Sequence, residues 1–323
     1  MARILTGDKM INAVRNRTMC PDDTSIFTDS DILDILDEEM SAQVLNKLIT
    51  LHGENLTISE DIAKTADGVF TFPYRAVGNK LRDVSLVNGN VVYELAQVSI
   101  SEIPDFSYGN DSNSFQDKFY VENNKIKLIQ PSRSYDSIRI RYHLRPSYLT
   151  KTEESGVISS IVTDTGAGTV TLTLSSVGKN FKISDTYDLI GHQSPNKIKA
   201  FDLTASSLTT GTTGIIVFTL SDISDVVDDL QVGDYVSLAE ETPVPNIPTE
   251  MHPLLAQAAA VQILEALTDT EALANALRRF DNMTKSIQEL IDDRVDLAPK
   301  KIKPRHGTLA AVIGTGRNNK GRF

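Results

Sequence analysis

The stretch PVPNIPTEMHPLLAQAAAVQILEAL, residues 243–267, places four prolines (Pro243, Pro245, Pro248, Pro253) within eleven residues and then runs into an alanine- and leucine-rich segment. Proline fixes φ and removes a backbone donor, so residues 243–248 read as a stiff extended connector that sets the angle of the next element. That element is a helix. Thr249 or His252 can cap it, Glu250 suits its positive end, and Pro253 is tolerated in the first turn. LLAQAAAVQILEAL is apolar nearly all the way round, which puts this helix inside a bundle or against a neighbouring subunit. The stretch is therefore a seam, where a β-rich region gives way to buried helices.

Downstream, Thr268-Asp269 breaks the helix. The next one carries Leu273, Phe280 and Ile287 seven apart, with Ala276, Met283 and Leu290 in the matching positions. This heptad-like seam suits a helix pair within one chain and a subunit contact equally well; Leu273, Phe280, Met283, Ile287 and Leu290 are the expected subunit-interface residues. Residues 299–323 hold seven basic side chains (Lys300, Lys301, Lys303, Arg305, Arg317, Lys320, Arg322) and no acid, the composition of an interaction arm.

Upstream, residues 151–241 read as a separate β unit. GTVTLTL and GIIVFTL are short strands rich in β-branched residues, each followed by a polar stretch and then by a related pair, SDTYDLI and VGDYVSL. This is a weak two-fold repeat within a small barrel or sandwich, inserted between the earlier strands and the C-terminal helices. Between residues 56 and 150 the hydrophobic period is two. LRDVSLVNGNVVYEL reads as a hairpin with a type I′ turn at Asn88-Gly89, and FYVENNKIKLI repeats the device at Asn123-Asn124. In SIRIRYHLRP, Ile138, Ile140, Tyr142 and Leu144 face one way and Arg139, Arg141, His143 and Arg145 the other.

Residues 1–55 read as helices. Thr6 can cap the first, which carries Met10, Ile11 and Val14, and Pro21 with two aspartates makes a turn. Thr28 caps the second, with Phe27 stapled onto Ile32. Leu33, Leu36, Met40, Val44 and Leu48 keep a helical period up to Gly53, opposite a solvated face of Asp34, Asp37, Glu38 and Lys47. The expected class is α+β: a helical core from the N-terminal (1–55) and C-terminal (242–298) helices, a β segment (56–150), an inserted small β-barrel or sandwich (151–241) and an extended basic arm (299–323).

Bulk composition narrows the function classes. The 323 residues include one cysteine, Cys20, and no tryptophan, so an intramolecular disulfide and a multi-cysteine zinc site are excluded. No apolar run spans a bilayer and the start lacks the apolar core of a signal peptide, so the chain reads as soluble and at home in a reducing cytoplasm or a particle assembled there. The net charge of −11, or −18 for residues 1–298, opposes general binding to nucleic acid.

No set of residues reads as an active site. Glu250 and His252 lack a second histidine at zinc-helix spacing, and the five histidines (His52, His143, His192, His252, His306) stand singly. AAVIGTGRNNKG, residues 310–321, resembles a phosphate loop, but a phosphate loop needs a helix after it and only Arg322 and Phe323 remain. The acidic runs Asp29–Glu39 and Asp222–Asp234 read as solvated faces rather than calcium loops. The spacing of Asp185, Asp188 and Asp202 singles out no catalytic pair. The basic face of Arg139 to Arg145 lacks interleaved aromatics and reads as a salt-bridged or subunit-facing surface.

Over most of its length the sequence resembles the head-to-tail adaptor (connector) proteins of tailed bacteriophages. The resemblance is carried by ILTGDKMINAVRNRTMCPDDTSIFTDSDILDILDEEM, FPYRAVGNKLRDVSLV, FYVENNKIKLI, IRIRYHLRPSYL, GDYVSLAEETPVPNIPTEMHPLLAQAAAVQILEAL and DRVDLAPKKIK. It implies a virion protein at the head–tail junction without enzymatic activity or cofactor. A homo-oligomeric ring, commonly of twelve copies, would sit beneath the portal protein, pass genomic DNA without sequence-specific binding and receive tail or nozzle proteins. The C-terminal arm would reach the portal. The inserted β unit is absent from the simpler adaptors. The competing expectation is a nucleic-acid-binding assembly factor that uses the basic tail.

Overall fold

The computed structural model describes residues 4–20, 26–52, 56–102, 117–129, 133–193, 197–211 and 213–291. The Pro21 turn, the Gly53 stop and the whole basic arm lie outside them. The chain is mixed α+β, with three hydrophobic cores: one helical, one in a pair of packed sheets and one inside a barrel.

The helical core joins the N-terminal helices to the helices of residues 252–291. Helix α1 (Gly7–Thr18) buries Met10, Ile11 and Val14. Thr6 holds the N-cap position but its side chain makes no capping bond; instead the Gly7 N–H donates to the Pro243 carbonyl at 2.8 Å. Helix α2 (Asp29–Glu39) opens on the expected Thr28 cap. The Thr28 hydroxyl accepts the Asp31 N–H and the Asp31 carboxylate accepts the Thr28 N–H, a reciprocal capping box. A π turn at Met40–Val44 then leads into α3 (Leu45–His52). The π turn has a reason in the sequence. Leu36, Met40, Val44 and Leu48 are four apart, a spacing that drifts about 40° per step in a regular α-helix. A turn with i to i+5 bonding absorbs the drift, and all four side chains stay buried.

Helix α4 (His252–Ala266) runs through the middle of this core, burying Leu254, Leu255, Ala256, Ala258, Ala259 and Ile263. Alanine on several sides lets neighbours approach closely. Helix α5 (Thr270–Ile291) comes after Thr268, which turns the chain with φ +57°. Phe280 and Ile287 are buried in the chain's own core and Met283 packs partly against it. The heptad-like seam therefore packs largely within the chain, as the helix-pair alternative has it. Leu273 is half-buried, and the Leu290 side chain lies outside the described residues.

Two four-stranded sheets form a sandwich. One has the order β1 (Thr57–Ala63), β8 (Ser137–Leu144), β3 (Ala76–Asn88), β4 (Val91–Glu94). The other runs β2 (Val69–Thr71), β7 (Lys125–Ile129), β6 (Lys118–Glu122), β5 (Ala96–Gln97). Ile138, Ile140, Tyr142 and Leu144 face inward onto Phe70, Phe119 and Ile126, as the alternation in β8 requires. Asn123 and Asn124 both have positive φ, the type I′ signature. The other hairpin differs: Asn88 pairs with Val91, so the turn is centred on Gly89-Asn90 with positive φ at Gly89 alone. Glycine in the first central position suits a type II′ turn, and the register slips by one residue from the expected one.

Residues 156–238 form a closed six-stranded barrel in the order β10 (Gly156–Asp164), β11 (Thr169–Ser176), β14 (Gly214–Thr219), β13 (Ile198–Thr209), β12 (Thr186–Ile190), β15 (Tyr235–Leu238). The halves of the repeat pair strand to strand, β11 with β14 and β12 with β15. Closure leaves the barrel with no free edge, which the open sandwich alternative would have exposed. The chain enters and leaves side by side, since β9 (Tyr148–Leu149) and β16 (Glu241–Thr242) pair in parallel.

The proline stretch departs from expectation. Residues 243–249 are buried throughout and bend at 243–244 and 246–247, so the connector is a folded corner wedged against the helical core rather than an extended rod. Ile247 enters that core, and the Thr242 hydroxyl braces Val244.

Candidate functional site

A buried charged cluster sits where the sandwich meets the barrel. Arg75 belongs to the corner between β2 and β3, where the Pro73 carbonyl accepts the Ala76 N–H in a tight turn. The corner aims its guanidinium at the barrel. Arg75 donates from Nη1 to Asp188 Oδ2 at 2.7 Å and from Nη2 to Asp188 Oδ1 at 3.1 Å and Asp202 Oδ1 at 2.6 Å. Its Nε donates to the Tyr74 hydroxyl at 3.0 Å, which in turn donates to Asp202 Oδ2 at 2.6 Å. The guanidinium also lies over the Phe201 ring, 5.2 Å from its centroid.

A bulge brings the two aspartates together although they are fourteen positions apart. Tyr187 pairs with Leu203 and Leu189 with Ala200, so Asp188 stands opposite both Phe201 and Asp202. Asp202 adopts φ +58°, a conformation aspartate tolerates better than most residues. No linear spacing rule could have found this pair; the signal present was the FPYR corner, whose arginine needs acidic partners once buried.

Arg75 is 3% exposed and Asp188 fully buried. Burial pushes the Asp188 carboxyl up, which alone would favour a neutral acid. Burial likewise works against the Arg75 charge, yet its bonds to Asp188 and Tyr74 leave it raised. Both Asp188 oxygens receive only donors, two from Arg75 and one each from the Asp202 and Glu240 backbone at 3.0 Å, so the pair stands ionised. Its role is to fix the barrel against the sandwich. Beside it opens a cavity of about 200 Å³ walled by Phe72, Tyr74, Tyr142, Phe201, Glu60 and Asp202.

A second cluster closes one end of the barrel. The buried Asp234 carboxylate accepts the Gln231 N–H at 2.8 Å, the His192 N–H at 2.9 Å and the Lys199 ammonium at 2.8 Å, with His192 Nδ1 2.8 Å away. Burial opposes its charge, but the bonds from Lys199 and His192 win and hold the carboxyl below its usual range. Lys199 also donates to the Asp229 carbonyl. The adjoining cavity, about 380 Å³, is lined by Gly191, Lys197, Ile198, Val226 and Gln231 among others, and no serine, threonine or cysteine among the described residues lines it to serve as nucleophile.

The third polar layer ties the helical core to the two linkers. Asp29 accepts from Arg15 at 2.8 Å and from Lys151 at 2.7 Å, and Asp37 accepts the Leu149 N–H at 3.0 and 3.1 Å. Burial raises the Asp37 carboxyl to about 7. The Asp29–Glu39 run is thus a docking face in part, which corrects its reading as merely solvated. His252 is fully buried: Nδ1 accepts the Leu5 N–H at 3.2 Å and Nε2 faces the Ile247 carbonyl at 3.3 Å, which fixes the Nε2–H tautomer. Neither Thr249 nor His252 caps α4. His252 pins the N-terminus to the proline corner, and Glu250 stays exposed.

The basic face of β8 is salt-bridged. Arg139 binds Asp61 in a fork at 2.7 and 2.8 Å, Arg141 reaches Asp83 at 3.4 Å and His143 approaches the Thr57 hydroxyl at 3.4 Å. Cys20 is a free, half-buried thiol. Among the described residues no group of three or more His, Cys, Asp or Glu side chains is placed to hold a metal, and no helix is long and apolar enough to cross a membrane. The arm residues Lys300, Lys301, Lys303, Arg305, Arg317, Lys320 and Arg322 lie outside the described residues. No protein-family model matches the chain, and a search of curated proteins gives no match.

Proposed function

We propose that the chain is a structural adaptor of a tailed-phage virion, without catalytic activity. Copies form a ring, commonly of twelve, beneath the portal protein; the ring extends the DNA channel and gives tail or nozzle proteins a surface to dock on. The observation that carries this reading is the division of charge: −18 over residues 1–298 against seven basic residues and no acid over 299–323. An acidic body repels DNA phosphates so that genome slides past, while a basic arm docks on an acidic portal surface.

Two features of the fold support it. The N-terminal helices and the helices of residues 252–291 build one helical core, and buried polar clusters rather than free hinges tie it, the sandwich and the barrel together. The arginines of β8, which a nucleic-acid-binding factor would need, are engaged by Asp61 and Asp83. With Phe280 and Ile287 buried, ring contacts fall to other exposed apolar residues of the helical region, such as Met19, Ile26 and Leu277. Electron microscopy of the protein mixed with its portal tests the reading. A coaxial ring that is lost on deleting residues 299–323 supports it. A persistent monomer that ignores the portal, or DNA binding that falls steeply with salt, overturns it.

A further inference from the structure

The cavity beside Arg75 has a chemistry that the joint itself does not use. Its walls carry the rings of Phe72, Tyr74, Tyr142 and Phe201, and Tyr74 stands 61% exposed at the rim. Two carboxylates line it, Glu60 and Asp202, beside the guanidinium of Arg75, which is also held by Asp188 behind it. Asp188 and Asp202 are satisfied by Arg75, Tyr74 and backbone donors. Glu60 is not: among the described residues its carboxylate receives only the Tyr142 hydroxyl, at a long 3.4 Å. Burial raises the Tyr142 hydroxyl and the nearby Glu60 charge adds to it, so the phenol stays protonated and neutral beside the carboxylate.

An under-partnered carboxylate within a cage of aromatic rings is the environment that binds an ammonium or guanidinium group, by ion pairing on one side and cation–π attraction on the other. About 200 Å³ accommodates the end of one lysine or arginine side chain but no folded partner element.

We propose that this cavity is a receptor for a basic side chain, and that its occupant is the chain's own C-terminal segment, residues 299–323, parked there when no partner holds it. Charge and length single out this occupant. The segment carries seven cations and no acid, a composition found nowhere else in the chain over such a length. The 32 residues after Ile291 reach about 100 Å when extended. A compact chain of this size has a radius of gyration of about 20 Å, so the segment can return to any face of the molecule. Parking lowers the concentration of free arm and gives a partner with a more acidic surface something to displace. That partner need not be a portal.

The test uses the full chain with the photo-crosslinker p-benzoylphenylalanine in place of the exposed Thr71 at the rim, irradiated as a dilute equal mixture of light and nitrogen-15-labelled protein. Crosslinks from position 71 to peptides within 299–323, in isotopically unmixed pairs, are expected. Their yield should fall about fivefold in the Glu60→Gln variant and in 1 M salt, where the Debye length shrinks to about 3 Å. Glu60→Gln keeps the size of the side chain, and an unchanged circular dichroism spectrum guards against a folding defect. Isotopically mixed crosslinks would make a second copy the occupant and overturn the intrachain proposal. Crosslinks only to other segments, or a yield indifferent to Glu60 and salt, would overturn the receptor itself.

Discussion

Replacing His252 with glutamine should change how the protein responds to acid more than how stable it is at neutral pH. The ring is buried completely, and its Nδ1 lone pair is already committed to the Leu5 N–H. Protonation would set a charge in an apolar core and turn an acceptor into a donor facing a donor. Burial accordingly lowers the imidazole from 6.5 to about 4, against weaker opposition from the Ile247 and Pro245 carbonyls. A histidine depressed in the folded state favours folding fully above pH 6.5, and that contribution is lost as pH falls from 6.5 toward 4. Between pH 7.5 and 4.5, a shift of this size from 6.5 to about 4 is worth about 2.5 kcal/mol. Glutamine does not titrate in this range. Urea unfolding of wild type and His252→Gln at the two pH values should show the wild type losing about 2.5 kcal/mol more than the variant, whatever constant penalty the substitution carries. Parallel losses in the two proteins would show that the ring is protonated or solvated in the folded state, and the account of the proline corner would fail.

The geometry sets three further outcomes. A Cβ on Gly7 would stand 2.1 Å from the Thr150 carbonyl oxygen, so Gly7→Ala should cost about 2–3 kcal/mol in urea unfolding, with wild-type stability refuting the close approach. Arg75→Met strands the buried Asp188 charge and should cost about 3–5 kcal/mol, whereas adding Asp188→Asn, which removes that charge and keeps an acceptor for one of the Asp202 and Glu240 N–H groups, should recover part of it; additive losses would deny the pair. Asp37, raised from 3.8 to about 7, binds its proton more tightly when folded, so it disfavours folding increasingly as pH rises through that window. Asp37→Asn should therefore raise stability at pH 8 by up to about 4 kcal/mol and by little at pH 4, and no gain at pH 8 would mean that the Leu149 N–H already supports the carboxylate.

Asp37 and His252 pull the pH profile in opposite directions over overlapping ranges, so the wild-type curve alone can be flat while both groups titrate. Each variant must be read as a difference from wild type at the same pH. The two residues bracket one structural seam: Asp37 holds the strand that leads to the barrel, and His252 holds the corner that returns from it. Loosening either should affect how the β units are held on the helices before it affects the barrel core.

The proline corner also changes an expectation about assembly. Had residues 243–248 been an extended rod, glycine substitutions would have misplaced the next helix while sparing the rest. Because these residues are buried and the Pro243 carbonyl accepts the Gly7 N–H, the same substitutions should strike folding of the helical core directly.

Features with a local cause were legible in the chain alone. The Thr28 cap, the double-asparagine hairpin, the alternation of β8 and the apolar girth of α4 each arise from backbone and side-chain preferences within a few residues. Long-range packing settled whatever depends on residues far apart. Whether the α5 seam had its own core to face turned on the apolar surface that α3 and α4 offer it. Arg75 became a joint because a bulge in the barrel turned Asp188 and Asp202 toward a corner of the sandwich more than a hundred residues away. His252 proved to be a pin rather than a cap because one of its partners, Leu5, arrives from 247 residues away to meet the ring beside the nearby Ile247 carbonyl, and hydrogen bonds to buried backbone are set by who arrives, not by sequence distance.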